Sequence, residues 1–143
     1  MKLRSSPGSD PLVAVHDRGA RQVLSLLTKS PEFNAATSAF ATALLNPNQI
    51  DRPKVLKALQ NLLTQTRKIS GEIGSVHCST KNGRAGQQLA IHSLRQAEQA
   101  GGYLHSGLVA TDPAKLKANL TLAGAVAKAS ESAGLHAIKL LSK

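Results

Sequence analysis

Between Val55 and Val76 the chain places Val55, Leu59, Leu62, Thr66, Ile69, Ile73 and Val76 at alternating spacings of four and three. This is an unbroken heptad seam over about 22 residues, a period that suits a helix and not a strand, whose faces alternate every two residues. A helix with one apolar stripe must bury that stripe against other helices. Asp51 with Pro53 supplies the start of this segment, and the spacing predicts a helix over 52–77.

The rest of the chain follows the same grammar. Asp10-Pro11 reads as a helix start, with Leu12, Val15, Val23 and Leu26 at helical spacing up to Lys29. Ser30-Pro31-Glu32-Phe33 repeats the signal, and Phe33, Thr37, Phe40 and Leu44 continue it, so 11–45 should form a kinked or split helix. Asn46-Pro47-Asn48 is a turn. His77 to Gly86 reads as a loop, and Ala90, Leu94, Ala97, Gly101, Leu104 and Leu108 give a helix over 85–110. Thr111-Asp112-Pro113 opens the last helix, 112–141. Its seam is Leu116, Leu120, Ala123, Ala127, Ser130, Gly134, Ala137 and Leu141, with small residues that allow close approach of a neighbour. No segment shows sustained period-two alternation. The expected fold is all-α: an antiparallel, up-and-down four-helix bundle of residues 10–143, behind a disordered segment 1–9.

Charge narrows the partners. The 143 residues hold 18 Lys+Arg against 8 Asp+Glu, a formal net charge of +10 and a pI ≈ 10.3. Aromatic residues are nearly missing: no Trp, one Tyr (Tyr103) and two Phe. A basic surface with so few stacking platforms points to a partner recognised through phosphate or carboxylate charge, not through bases. Arg18, Arg21, Lys29, Arg67, Lys68, Arg95, Lys128 and Lys139 are spread and not striped, and no helix-turn-helix signature is present, so non-specific nucleic-acid binding is an alternative and not the leading reading. No apolar run reaches about 18 residues, and Met1 to Asp10 lacks the apolar core of a Sec signal. A peripheral membrane location is expected, with the Ser-containing N-terminal segment compatible with another export route or with a chaperone or other protein partner.

In an up-and-down bundle the first and third interhelical loops share one end. That end would gather Leu45, Ile50, Arg52, Lys54 and Lys57 from one loop with Lys115 and Lys117 from the other. Cations beside exposed apolar residues suit an anionic lipid headgroup and its apolar boundary, each basic residue contributing about 1 kcal/mol. Asp51 and Asp112 at the same end are explained as helix N-caps. Short basic four-helix bundles that present these two loops to the inner membrane leaflet occur as membrane-localisation domains of bacterial toxins and secreted effectors, and this chain is similar to them in length, topology and end charge. The likeness implies a targeting module for phosphoinositides or phosphatidylserine, of the kind that acts at a host membrane as the N-terminal piece of a larger effector. A bundle that serves only as a protein-interaction module is the remaining alternative.

A second constellation lies at the other end. Val76-His77-Cys78-Ser79-Thr80-Lys81-Asn82-Gly83-Arg84-Ala85-Gly86 resembles the phosphate-binding loop of cysteine-dependent phosphatases, whose signature is His-Cys, five residues, then Arg. The resemblance implies Cys78 as nucleophile, Arg84 as phosphate clamp and an upstream acid such as Asp51. Lys81 stands where that family usually has Gly, Ala85 stands where it has Ser or Thr, and the preceding segment is helical where the family has a buried strand. No phosphatase activity is therefore expected; the string reads first as a plain interhelical turn with Cys78 incidental, and His77, Lys81 and Arg84 stand beside that reading as a candidate non-catalytic anion site. His16, His77, His92, His105 and His136 lack metal-ligand spacing, Cys78 is the sole cysteine, and no nucleotide-binding fingerprint occurs, so neither metal nor cofactor is expected.

Overall fold

The computed structural model describes residues 17–43 and 51–142, and every regular element among them is helical. In chain order these are α1 (Arg18–Lys29), α2 (Pro31–Ala43), α3 (Arg52–Gly74), α4 (Lys81–Val109) and α5 (Pro113–Leu141). The start expected at Asp10-Pro11, the segment 1–9, and the residues Leu12, Val15, Leu44, Leu45 and Ile50 lie outside the described residues.

The first helical segment is split and not kinked. Ser30 closes α1 in an extended conformation (φ −73°, ψ 115°), as the residue before a proline must. Pro31 then opens α2, where its missing N–H costs nothing. Asp51 and Asp112 act as the expected N-caps, accepting from the backbone N–H of Lys54 and Ala114.

Two boundaries at the other end differ from the sequence expectation. Helix α3 ends at Gly74, not near 77, and α4 begins at Lys81, so the interhelical link is only Ser75 to Thr80. Gly83 and Gly86 disfavour helix by about 1 kcal/mol each, yet both lie inside α4. Both are required by close packing. A Cβ on Gly83 would overlap a carboxylate oxygen of Asp17, and one on Gly86 would stand 2.7 Å from Leu141 Cγ. Thr80 caps the helix by accepting from Gly83 N–H at 2.9 Å.

Helices α4 and α5 form the most extensive pair. Gly86 meets Leu141, Ser93 meets Ser130, and Gly107 meets Leu116 and Asn119, so the two run in opposite directions. Their seam is made of small residues. Ser93 and Ser130 each donate a hydroxyl hydrogen bond to the other's carbonyl oxygen at 2.7 Å, which requires close helix axes. Helix α3 lies on the other flank of α4 in the opposite sense, with Arg67 paired to Glu98 at 2.9 Å and Leu63 against Gly101.

Helix α1 reaches α3, α4 and α5 together, whereas the chief neighbour of α2 is α3. The molecule is therefore closed at one end and open at the other. The closed end holds the larger core, Ala20, Val23, Ile69, Ile73, Cys78, Ala90, Leu94, Ala137 and Leu141. The open end holds Val55, Leu59 and Leu108, with Phe40, Leu56, Leu63 and Leu104 half-buried around them. The seam expected on the last helix is only partly covered. Ala123, Ala137 and Leu141 are buried, but Leu120 is 43% exposed and Ala127 is exposed, because α2 leans on α3 and leaves this flank of α5 bare.

Candidate functional site

At the closed end the phosphatase-like string folds into a loop that already holds an anion, and the anion is the protein's own. Asp17 is fully buried. Its Oδ1 accepts from the backbone N–H of Ala20 at 3.0 Å, which makes it the N-cap of α1. Its Oδ2 accepts from the Thr80 N–H at 2.9 Å and from the Thr80 hydroxyl at 2.7 Å. Since Thr80 Oγ1 in turn accepts from Gly83 N–H, one carboxylate caps α1 directly and orients the cap of α4. The partial positive charge of two helix starts converges on it. Burial by itself would raise the Asp17 pKa. The Thr80 hydroxyl and the backbone N–H groups of Ala20, Thr80 and Ser79 outweigh it and hold the carboxyl well below the usual carboxylate range.

This arrangement runs counter to phosphate chemistry at Cys78. The thiol is buried, and its pKa is pushed up by that burial and by the Asp17 charge, with Arg84 only partly offsetting them. A nucleophilic cysteine needs the reverse shift. Arg84 does not reach towards a phosphate position: its guanidinium donates to the carbonyls of Ser79 at 3.1 Å and Cys78 at 3.5 Å. His77 and Lys81 are exposed around this filled loop. Asp51, assigned as the upstream acid by the resemblance, caps α3. It starts the helix whose far end enters this loop, so the length of α3 separates it from Cys78.

Asp17, Thr80 and Gln87 are functional parts of the fold that the sequence reading missed. Gln87 donates from one amide nitrogen to the carbonyls of Ile73 and Val76, both at 2.7 Å, and so caps the C-terminus of α3. Asp17 had a local signal, an acidic residue followed by Gly19 at the start of a helical run. A Cβ on Gly19 would overlap the carbonyl oxygen of His77, so this glycine marks the docking of α1 on the loop.

The opposite end contains the candidate lipid-binding residues, although Arg18, Arg21, Lys81, Arg84 and Lys139 are equally exposed about the closed end. Arg52, at the start of α3, donates to the carbonyls of Leu108 at 3.2 Å and Ala110 at 3.3 Å. That contact joins the beginning of α3 to the α4–α5 link and caps the C-terminus of α4 with a cation. Lys54, Lys57, Lys115 and Lys117 are all exposed, and Val109 stands 54% exposed beside the Arg52 contact. Lys115 and Lys117, two residues apart, point roughly 200° away from each other around α5, so they flank the end and do not form one cluster. Asp51 and Asp112 are both engaged with backbone N–H groups.

Among the described residues no group of His, Cys, Asp and Glu could hold a metal ion, and no helix is long and apolar enough to cross a membrane. No family model, curated protein or solved structure matches this chain.

Proposed function

We propose that this chain is a basic helical module that binds anionic membranes through the end where α3 begins and α4 turns into α5. The observation that carries the reading is the Arg52 guanidinium on the carbonyls of Leu108 and Ala110, which puts the start of α3 and the α4–α5 link at one end. Lys54 and Lys57 come with the first element, Lys115 and Lys117 with the second, and exposed Val109 adds an apolar contact. The opposite senses of α3, α4 and α5 support an up-and-down arrangement for this reading. Four lysines at about 1 kcal/mol each give reversible binding of the peripheral kind.

The test is sedimentation with phosphatidylserine or phosphoinositide vesicles and with neutral ones, across salt concentration. Arg52 and Arg67 both hold structural contacts, so substitutions belong elsewhere. Lys54→Glu with Lys117→Glu should reduce binding more than Arg95→Glu with Lys128→Glu, a pair of identical charge change in the middle of α4 and α5. Higher salt should weaken binding, since screening acts over about 8 Å at physiological strength. Equal loss in both double variants would reject recognition by this end. Binding to neutral vesicles as strong as to anionic ones would reject a charge-led mechanism.

A further inference from the structure

Helix α5 packs along α4 and has no other extensive neighbour. Of the four exposed large apolar residues among the described ones, three belong to it: Leu120, Leu122 and Leu135. From Ala118 to Ala127 the helix carries no charge, yet in that stretch only Ala123 is buried. A helix this apolar on its outside is unpartnered in the single chain.

One face has an order that the single chain does not use. Lys117, Gly124 and Glu131 are spaced by seven residues, two helical turns, and so stand within about 40° of one another around α5. All three are exposed, as are Leu120 and Leu135 on the same face. Glu131 is the only acid of α5, and among the described residues it has no cation within ion-pair reach. Gly124 costs the helix about 1 kcal/mol relative to the alanines around it. A Cβ there would meet nothing within 4 Å, so the packing of the single chain does not call for glycine. Gly71 and Gly102 are open in the same way, but only Gly124 lies midway between opposite charges.

We propose that this face of α5 docks on the same face of a second copy, antiparallel about a two-fold axis at Gly124. On that axis each residue meets the one equally far beyond Gly124 in the other copy. Lys117 then faces Glu131 of the second copy, and symmetry repeats the pair. Pro113 faces Leu135, Thr121 faces Ala127, and the Lys128 stem covers Leu120 with its ammonium in water. Glycine against glycine at the axis lets the helices approach closely. A parallel pairing would set Lys117 on Lys117 and Glu131 on Glu131, so charge selects the antiparallel one. Any other partner would have to be built to this spacing; a second copy already is. Ala127, at one edge of the face, also lines an apolar groove with Phe33 and Phe40 of α2, so the apolar surface continues past that edge. A strip from Pro113 to Leu135 offers on the order of 300 Å² per copy, which suits a concentration-dependent dimer and not an obligate one.

The experiment is sedimentation equilibrium of the full chain without lipid, over about 5–500 µM, which keeps it separate from the test of membrane binding. A monomer–dimer equilibrium is the expected result for the parent. Gly124→Leu, placed where its side chain meets nothing in the single chain, should stay monomeric with the parent's circular dichroism. Lys117→Glu and Glu131→Lys should each weaken the dimer by about tenfold or more, and the two combined should restore it to within about threefold. Lys117→Glu also lowers the net charge, so a dimer limited only by general repulsion would strengthen where this pairing weakens. A parent that stays monomeric throughout, or an assembly larger than a dimer, overturns the proposal. So does a dimer indifferent to the single reversals, or a combined reversal that fails to restore it. The parent and the combined reversal decide the matter even where Gly124→Leu fails to fold.

Discussion

Replacing Asp17 by Asn isolates the carboxylate at the junction of α1 and α4. Asn is a good N-cap, so Oδ1 can still accept from Ala20 N–H. The second oxygen becomes an amide nitrogen facing the Thr80 N–H at 2.9 Å and the Thr80 hydroxyl at 2.7 Å. Two hydrogen bonds to a charged acceptor, worth about 1.5–3 kcal/mol each, are replaced by donors facing donors in a site without solvent. Rotation of the Thr80 hydroxyl recovers part of this, so the expected loss is about 3–5 kcal/mol. That is a large share of the roughly 5–15 kcal/mol that holds a domain folded. Guanidinium denaturation followed by far-ultraviolet circular dichroism measures it at pH 7. The pH dependence supplies a second reading. The folded-state pKa of Asp17 is depressed, so its contribution is complete above the unfolded value near 3.9 and is lost as pH falls from there towards the lower folded value. The difference between parent and Asp17→Asn should therefore shrink on acidification below about pH 4. A loss under about 1 kcal/mol at neutral pH, or a difference that does not change in acid, would refute the view that this ion organises the closed end.

Two further outcomes follow from the same packing. Cys78 should resist a thiol reagent in the native protein at pH 8 and react on unfolding, because its thiol is buried and its pKa raised; rapid native labelling would contradict this. Gly102→Ala should stabilise by about 0.5–1 kcal/mol, since its Cβ would meet nothing within 4 Å on an exposed helix face. Gly86→Ala should instead destabilise by about 1–3 kcal/mol against Leu141, and thermal melts that rank the two variants the other way would reject the close approach of α4 and α5.

The sequence alone determined that the chain is helical and where most helices begin. The heptad seam from Val55 and the caps Asp51 and Asp112 act within one helix or its first turn, so they are visible in a local pattern. The split at Ser30-Pro31 is equally local, because proline restricts its own residue and the one before it. Charge is also legible, as a sum over the chain. What the sequence did not show depends on residues far apart along it. Gly83 and Gly86 look like loop residues until Asp17 and Leu141 are set against them. The His-Cys and Arg string looks like an empty phosphate loop until Asp17, 63 residues before Thr80, fills it with a carboxylate. The exposed Leu120 and Ala127 sit in a regular seam, and only the lean of α2 onto α3 leaves them bare. Helical periodicity tells which residues share a face. Tertiary structure alone decides what, if anything, covers that face, because burial depends on the direction each helix takes after its turn.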